Sequence, residues 1–164
     1  GKLVANRKIT ATANGKTYSA TTNSKGVATF KLNLNAVKTY AVSLKFAGDS
    51  YYTASTKSIN VRVIKTKTNL AVPNRSYKRA AKVKRLTATL KDQTGKVLRN
   101  KIVRFTVNGK TYSARTNAKG IAAVNIKLSK RKTYRFTVRF AGDRNYVAVA
   151  KTARLVIKWF LNNN

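Results

Sequence analysis

Lysine and arginine are the residues of this sequence with the clearest capacity for chemistry. There are 36 of them against three acids, which gives the 164-residue chain a formal net charge of +33. A surplus of one sign on this scale attracts polyanions, and guanidinium groups bind carboxylates and phosphates through two parallel hydrogen bonds. The composition therefore predicts a polyanionic partner. Charge alone does not distinguish an acidic polysaccharide, an acidic protein and a nucleic acid.

The other residues that could support catalysis or bind a metal ion are scarce. The sequence contains no Cys and no His, and its acids are Asp49, Asp92 and Asp143. Carboxylate-pair catalysis and calcium sites both require several acids close together. Asp49 and Asp143 occur in two copies of one motif, so their carboxylates are expected to lie in different domains. We therefore predict that the protein is not an enzyme and holds no metal ion or cofactor.

The motif that contains Asp49 and Asp143 is Phe-Ala-Gly-Asp-x-x-Tyr, at positions 46–52 and 140–146. Glycine permits a tight turn, and an aspartate can accept hydrogen bonds from the amides that follow it. A tyrosine in this place is suited to pack at a corner between strands. The motif is therefore predicted to be structural.

A longer repeat surrounds these residues. The second copy is Asn108-Gly-Lys-Thr-Tyr-Ser-Ala-Arg-Thr-Asn-Ala-Lys-Gly-Ile-Ala122, and the first copy is Asn14-Gly-Lys-Thr-Tyr-Ser-Ala-Thr-Thr-Asn-Ser-Lys-Gly-Val-Ala28. A shift of about 94 residues matches about 27 of roughly 64 positions, which indicates an internal repeat. Asn-Gly predicts a hairpin with a type I′ turn, because that turn needs positive φ at both central residues. Asn-x-Lys-Gly predicts a second turn at the end of the same strand.

Apolar residues alternate with polar ones in both copies, which is the pattern of β-strands with one buried face. The second copy shows it over residues 134–140, and the first copy over residues 40–46 and 28–34. The residues expected to face inward in the last segment are Ala28, Phe30, Leu32 and Leu34. Short strands separated by turns predict an all-β fold of tandem antiparallel Ig-like β-sandwich domains.

The two copies differ in what precedes them. The second copy has two further predicted strands upstream, an edge strand that ends at Pro73 and an interior strand over residues 85–90. We therefore predict a partial Ig-like domain over residues 1–65, a complete one over residues 66–160 and an Asn-rich tail over residues 161–164. The sequence as given is therefore expected to be a fragment, the end of a longer repeat array. Alternatively, a neighbouring molecule supplies the missing strands of the partial domain.

Strand alternation also assigns basic side chains to solvent. On outer faces of the complete domain it places Arg104, Arg115, Lys127, Arg135 and Arg139. Turns are expected to hold Lys110, Arg131 and Lys132. Because neighbouring strands lie about 4.8 Å apart, outward arginines on adjacent strands would form a grid of cations. We predict that these eight residues bind a polyanion, and a solvated face without a partner is the alternative.

The order of the motifs resembles a known family. Gly-Lys-x-x-x-Asn is followed by Asn-Gly-Lys-Thr-Tyr, Thr-Asn-x-Lys-Gly-x-Ala, Thr-Tyr and Phe-Ala-Gly-Asp-x-x-Tyr. This order resembles the bacterial-type Ig-like repeats of prokaryotic cell-surface proteins, and it is especially similar to repeats of adhesin-like proteins of methanogenic archaea. The resemblance covers nearly the whole chain up to Trp159 and implies an extracellular, wall-associated rod of stacked domains. Such repeats are usually acidic or mixed in charge, so the basic composition favours an acidic cell-wall or matrix polymer, or an acidic surface protein, as the partner.

Three functions stand as hypotheses. The first is an extracellular structural or adhesin-like protein that attaches electrostatically to an acidic polymer. The second is a subunit of a surface filament or sheath, associated through the unpaired strands of the first domain. The third is a basic nucleic-acid-binding protein held by phosphate contacts, although most aromatic residues fall on the inward phase and few could stack on bases. No apolar run approaches the roughly 20 residues of a membrane helix.

Overall fold

The computed structural model describes residues 2–159. They fall into two compact units, unit 1 within Gly1–Ile64 and unit 2 within Lys65–Asn164. The regular elements among the described residues are all β-strands. Those of unit 1 are β1 (Lys8–Ala13), β2 (Lys16–Thr21), β3 (Thr39–Phe46) and β4 (Ser55–Arg62). Those of unit 2 are β5 (Thr68–Ala71), β6 (Arg75–Lys78), β7 (Lys84–Asp92), β8 (Ile102–Val107), β9 (Lys110–Arg115), β10 (Ile121–Ile126), β11 (Lys132–Phe140) and β12 (Val149–Lys158). The predicted tail, residues 161–164, lies outside the described residues.

Unit 2 is a β-sandwich of two largely antiparallel sheets. One sheet has the strand order β10-β7-β5, and the other has the order β6-β12-β11-β8-β9. The first sheet pairs β7 with β10, while β8, β11 and β12 are neighbours in the second. This is the pairing of strand B with E, and of C with F and G, that characterises immunoglobulin-like sandwiches. The predicted all-β, Ig-like sandwich is confirmed.

The first two strands of unit 2 carry the chain from one sheet to the other. β5 pairs with β7, and after Pro73 and Asn74 the chain continues as β6, which runs parallel to β12. Proline lacks an amide hydrogen and cannot donate to a ladder, so its place between the two pairings leaves both intact. Asn74 Oδ1 accepts a hydrogen bond of 2.8 Å from the amide of Arg154, which ties the crossing to β12. The edge strand predicted before Pro73 is confirmed.

The core of unit 2 lies between its sheets and follows the predicted alternation. Phe105, Phe136 and Leu155 of the five-stranded sheet are fully buried, as are Leu86 and Leu90 of the three-stranded sheet. Burying one such side chain contributes about 1.5–3 kcal/mol. Since successive side chains point to opposite faces of a strand, these core residues hold the intervening residues on the outer surface.

The Asn-Gly hairpins form as predicted in both units. Asn108 and Gly109 have φ values of 48° and 74°, and Asn14 and Gly15 have values of 50° and 74°. Positive φ at both central residues is the requirement of a type I′ turn. These turns set the register of β8 against β9, and of β1 against β2.

Unit 1 has one sheet among its described residues, with the strand order β2-β1-β3-β4. The predicted strand over residues 28–34 is wrong, because this segment forms no strand, although Phe30, Leu32 and Leu34 pack against the small core of the sheet. The equivalent strand of unit 2, β10, is paired with β7, and residues 2–64 contain no counterpart of β7. Without a neighbouring strand the segment has no ladder in which to pair its amides.

Candidate functional site

The Phe-Ala-Gly-Asp-x-x-Tyr motif forms a tight turn after β11. Asp143 Oδ1 accepts hydrogen bonds from the amides of Asn145, at 2.9 Å, and Tyr146, at 3.0 Å. The second carboxylate oxygen lies 2.5 Å from Lys101 Nζ. Gly142 has a φ of 79°, and a Cβ on it would stand 2.8 Å from the carbonyl oxygen of Tyr146, so the turn requires glycine. The predicted structural role of the motif is confirmed in this turn.

The same turn follows β3 in unit 1. Asp49 Oδ1 accepts hydrogen bonds from the amides of Tyr51 and Tyr52, each at 2.9 Å, and Asp49 Oδ2 forms an ion pair with Arg7. The hydrogen bond from the Tyr51 amide lowers the pKa of Asp49, and the Arg7 cation lowers it further. Tyr146 packs against the core of unit 2, but Tyr52 is 39% exposed, so the predicted corner packing is wrong for Tyr52.

The other two carboxyl groups are also held in the ionised state. Burial raises the pKa of Asp143, but the hydrogen bonds from Lys101 and from the backbone outweigh it, and the pKa lies below its ordinary value. The Thr94 hydroxyl, which donates to Asp92 at 2.6 Å, is the main cause of a lowered pKa there. Each carboxylate thus accepts hydrogen bonds within its own turn, and those of Asp49 and Asp143 also pair with Arg7 and Lys101. Among the described residues no three His, Cys, Asp or Glu side chains lie together.

Four arginines form two opposed pairs on the outer face of the five-stranded sheet. Arg104 of β8 lies directly opposite Arg139 of β11, and Arg135 of β11 lies directly opposite Arg154 of β12. All four side chains are exposed. Directly opposite residues have Cβ atoms about 4.5–5.5 Å apart, so each pair concentrates two positive charges. We refer to Arg104, Arg135, Arg139 and Arg154 as the arginine quartet.

The arginine quartet has no acidic neighbour in its sheet. Strands β6, β8, β9, β11 and β12 contain no Asp and no Glu. The two ion pairs described above, Arg7–Asp49 and Lys101–Asp143, involve none of the four. Like charges directly opposite each other destabilise a sheet. An anion placed between the members of a pair would remove this repulsion and gain charge-assisted hydrogen bonds.

A row of hydroxyl groups crosses the same face between the two arginine pairs. The residues of this threonine row, paired from β9 through β8 and β11 to β12, are Thr111, Thr106, Thr137 and Thr152. Thr106 and Thr111 share a hydrogen bond of 2.9 Å, and Thr137 and Thr152 share one of 3.3 Å. On β11 the row lies midway between the arginine pairs, roughly 7 Å along the strand from each.

A shallow groove with a volume of about 350 Å³ lies at one end of this face. Its lining includes Arg104, Arg115, Arg139 and both members of the Lys101–Asp143 ion pair. Arg115 Nη1 lies 3.3 Å from both the carbonyl oxygen and Oδ1 of Asn100, which hold the guanidinium at the rim. Three guanidinium groups around one depression can donate several charge-assisted hydrogen bonds to a single anionic group.

The structure places four of the eight predicted site residues on this face. Arg104, Arg135 and Arg139 belong to the arginine quartet, and Arg115 lies at the groove. Arg154 is absent from the predicted site, although the alternation of β12, with its neighbours on either side buried, was a sufficient signal. The ion pairs of Asp49 and Asp143 could also have been predicted from the sequence, since their partners Arg7 and Lys101 occupy equivalent positions of the two copies.

The other four predicted residues are exposed but lie elsewhere. Lys110 and Lys132 begin β9 and β11 on the inward phase of those strands, and Lys132 Nζ stands 5.7 Å from the centre of the Tyr134 ring. Lys127 follows β10 in the three-stranded sheet, and Arg131 precedes β11. A part in polyanion binding stays a prediction for all eight residues.

Unit 1 repeats the threonine row but not the arginine quartet. The hydroxyl row paired across β2, β1, β3 and β4 consists of Thr17, Thr12, Ser43 and Ser58. The residues equivalent to Arg104, Arg135, Arg139 and Arg154 are Thr10, Ala41, Lys45 and Asn60. A groove of about 400 Å³ occupies the equivalent place, and its cations are Lys8, Lys45 and the ion-paired Arg7. One of the four quartet charges is therefore present in unit 1.

No protein-family model matches the sequence, and no curated protein matches it. One similar solved structure is of a 1.5-MDa bacterial ice-binding adhesin, with 15% identity and a TM-score of 0.45; the match covers 96% of this chain and 55% of that one. The fibronectin(III)-like modules of Clostridium thermocellum CbhA match with 18% identity and a TM-score of 0.44, over 100% of this chain and 84% of theirs. The D0–D1 region of intimin matches with 22% identity and a TM-score of 0.37, over 95% of this chain and 84% of its own.

This chain therefore spans about half the length of the adhesin structure. At these identities the similarity concerns the fold alone. Within residues 2–159 there is no helix of the length and apolarity needed to cross a bilayer.

Proposed function

We propose that the chain is part of an extracellular, adhesin-like repeat protein, and that unit 2 attaches it to an acidic cell-wall or matrix polymer. The observation that carries the proposal is the arginine quartet, two opposed pairs of exposed arginines on strands that contain no acid. The resemblance of the motifs to archaeal adhesin-like repeats supports the cell-surface location. The role is attachment rather than catalysis.

The chemistry of the quartet suits a polymer with regularly placed anionic groups. A guanidinium group binds a carboxylate or sulfate oxygen pair in a planar, two-bond geometry that an ammonium group does not offer. A linear polymer can occupy both arginine pairs at once. Once one pair is occupied, the second contact is made at a high effective concentration, so contacts that are individually weak retain the chain.

A nucleic acid suits this face less well. The aromatic residues of the five strands face inward; Phe105 and Phe136 are fully buried, and Tyr112 packs against the core. Single-stranded nucleic acids are bound largely by stacking of bases on exposed aromatic side chains. Phosphate contacts alone would still give binding that falls steeply with salt.

The test is the salt dependence of retention on immobilised polymers. The intact chain is applied to a polyuronate column, a DNA column of similar charge density and a neutral polysaccharide column, and each is eluted with a salt gradient. We expect the polyuronate to hold the chain to a clearly higher salt concentration than DNA does, and the neutral column to release it at once. Equal or stronger retention on DNA would contradict the proposal.

A second candidate function is supported by the unpaired segment of unit 1. Residues 27–34 align with β10 but have no strand beside them, and Ile59 on β4 is 42% exposed where its counterpart Ala153 is 7% exposed. A strand with the alternation of β7 would pair with this segment and cover the apolar face. Supplied by a neighbouring molecule, it would make the chain a subunit of a surface filament or sheath.

Sedimentation velocity over a wide range of protein concentrations tests the second candidate. Strand exchange between molecules predicts concentration-dependent oligomers, and an added peptide with the sequence of residues 84–92 should compete with their formation. A monomer at every concentration would exclude self-association through this segment.

A further inference from the structure

We infer that the polymer bound by unit 2 is an anionic glycan, in which charged groups are interspersed with free hydroxyl groups, and that the threonine row is part of its binding site. This inference rests on the proposed attachment to an acidic polymer. It narrows that polymer to one chemical class and adds uncharged residues to the site.

The first argument is the order of side chains along the central strands. The outward residues of β11 are, in sequence, Thr133, Arg135, Thr137 and Arg139. Beside them on β8, Thr106 lies opposite Thr137, and Arg104 lies opposite Arg139. The two arginine pairs are separated by four residues of β11, or roughly 13 Å. A polymer that follows the strands therefore meets two cations, then a row of hydroxyl groups, then two cations again.

The second argument is the hydrogen-bonding capacity of the row. A threonine hydroxyl donates one hydrogen bond and can accept two. The bonds within the row, Thr106 to Thr111 and Thr137 to Thr152, use one donor and one acceptor position of each pair. Each pair thus retains one donor and several acceptor positions. Sugar hydroxyl groups can pair with both the donor and the acceptor positions, whereas a phosphate or sulfate oxygen can pair only with the donors. The row therefore favours a hydroxylated partner.

The third argument concerns what surrounds the row. Large apolar residues are nearly absent from the outer positions of β8, β9 and β11, where Ile102 is the exception. The face is thus a polar strip bounded by guanidinium groups at both ends. Cross-strand threonine pairs also stabilise a sheet by themselves, and unit 1 carries an equivalent row. An experiment must therefore separate ligand binding from sheet stability.

The test removes two hydroxyl groups without changing charge. Thr106→Val/Thr137→Val keeps the β-branched shape of both side chains, and its unfolding midpoint verifies that the sheet is intact. Dissociation constants are measured calorimetrically for an oligogalacturonate and for a linear polyphosphate with the same number of charges. We expect the variant to bind the oligogalacturonate about tenfold more weakly, since two hydrogen bonds are lost. Binding of the polyphosphate should weaken much less, because phosphate oxygens can use only the donor positions of the row.

The matched control is Thr12→Val/Ser43→Ala, which removes the two equivalent hydroxyl groups from unit 1. It is expected to leave both dissociation constants unchanged, because the hydroxyl row there lacks the arginine pairs. A second comparison variant, Arg104→Gln/Arg139→Gln, should weaken binding of both polymers.

The outcomes separate the two proposals. Unchanged oligogalacturonate binding by the threonine variant, with weaker binding by the arginine variant, overturns the inference and leaves the proposed function standing. Equal weakening of both polymers by the threonine variant also overturns the inference, because the row would then not distinguish hydroxylated ligands. If the arginine variant binds both polymers normally, the proposed function itself fails.

Discussion

The sheet of unit 1 and the five-stranded sheet of unit 2 share four equivalent strands and an equivalent hydroxyl row, but they differ greatly in charge. Unit 2 carries four opposed arginines where unit 1 has Thr10, Ala41, Lys45 and Asn60. The residues that specify the fold, such as the Asn-Gly turn and the turn aspartate, are common to both units. The arginine quartet is therefore an addition to a scaffold that both units share, as expected where the fold and the displayed side chains vary independently.

The units also differ in how completely their sheets are covered. The five-stranded sheet of unit 2 faces a second sheet, and Phe140 on β11 is 3% exposed. Its counterpart Phe46 on β3 is half-buried, because unit 1 has only the segment over residues 27–34 against its sheet. Equivalent side chains therefore contribute different amounts of stability.

The largest expected effect follows from this difference in burial. Phe140→Ala should lower the free energy of unfolding of unit 2 by about 3–5 kcal/mol, because it opens a cavity in a closed core. Phe46→Ala should cost unit 1 less than about 2 kcal/mol, since that ring is already partly in water. Urea denaturation followed by residue-resolved NMR reports each unit separately. Equal losses in the two units would contradict the difference in burial.

The next largest effect is expected from transferring the arginine quartet to unit 1. Thr10→Arg/Ala41→Arg/Lys45→Arg/Asn60→Arg rebuilds both arginine pairs beside the existing hydroxyl row. A second site on the chain should increase the affinity for a long polyuronate by about tenfold, because linked sites raise the effective concentration of each other. Calorimetry should also show a doubled stoichiometry with short oligomers.

The control for the transfer adds the same charge elsewhere in unit 1. Ser24→Arg/Thr29→Arg/Asn35→Arg introduces three cations on exposed residues outside the sheet. It is expected to leave the stoichiometry unchanged. An increase equal to that of the rebuilt quartet would show that net charge, and not the arrangement, governs binding.

The smallest effect is acid sensitivity, which the two units should share. The pKa values of Asp49 and Asp143 are lowered in the folded state, so their ionised forms stabilise the turns. This stabilisation is complete above the ordinary value of 3.8 and is lost as the pH falls through the lowered pKa. Thermal melts between about pH 6 and pH 2 should therefore show decreasing midpoints at the acid end. Asp143→Asn should flatten this dependence in unit 2, and an unaltered profile would contradict the role given to the carboxylate.

Much of the scaffold could be predicted because its signals are local. The hairpin at Asn108 follows from the φ preference of two residues, and the edge strand before Pro73 follows from a missing amide hydrogen. The strand over residues 28–34 could not be predicted in the same way. Its alternation is genuine, but strand formation also requires a partner, and β10 has one only because β7 lies beside it.

The candidate site was less predictable than the fold, because the arrangement of its arginines depends on strand register. Alternation indicates that Arg104 and Arg139 face outward, but it does not reveal that they lie opposite each other. In the same way, alternation indicates that Arg135 and Arg154 both face outward, but it does not reveal that they lie opposite each other. Lys127 has an outward phase as well, yet it belongs to the other sheet, and the assignment of strands to sheets is not a local property.

The most direct test of binding by the arginine quartet compares two variants of equal net charge. The first, Arg104→Gln/Arg135→Gln/Arg139→Gln/Arg154→Gln, removes the quartet. The second removes four exposed cations outside the five-stranded sheet, by the substitutions Lys82→Gln, Arg85→Gln, Lys91→Gln and Lys119→Gln. The measurement is the salt concentration at which each variant elutes from immobilised polyuronate.

If the quartet is the site, its variant should elute at much lower salt, and the slope of log affinity against log salt should fall by roughly one for each lost contact. The charge-matched control should elute close to the unmodified chain. Elution of both variants at the same salt concentration would contradict binding by the quartet, because retention would then depend on the total charge and not on the opposed arginine pairs.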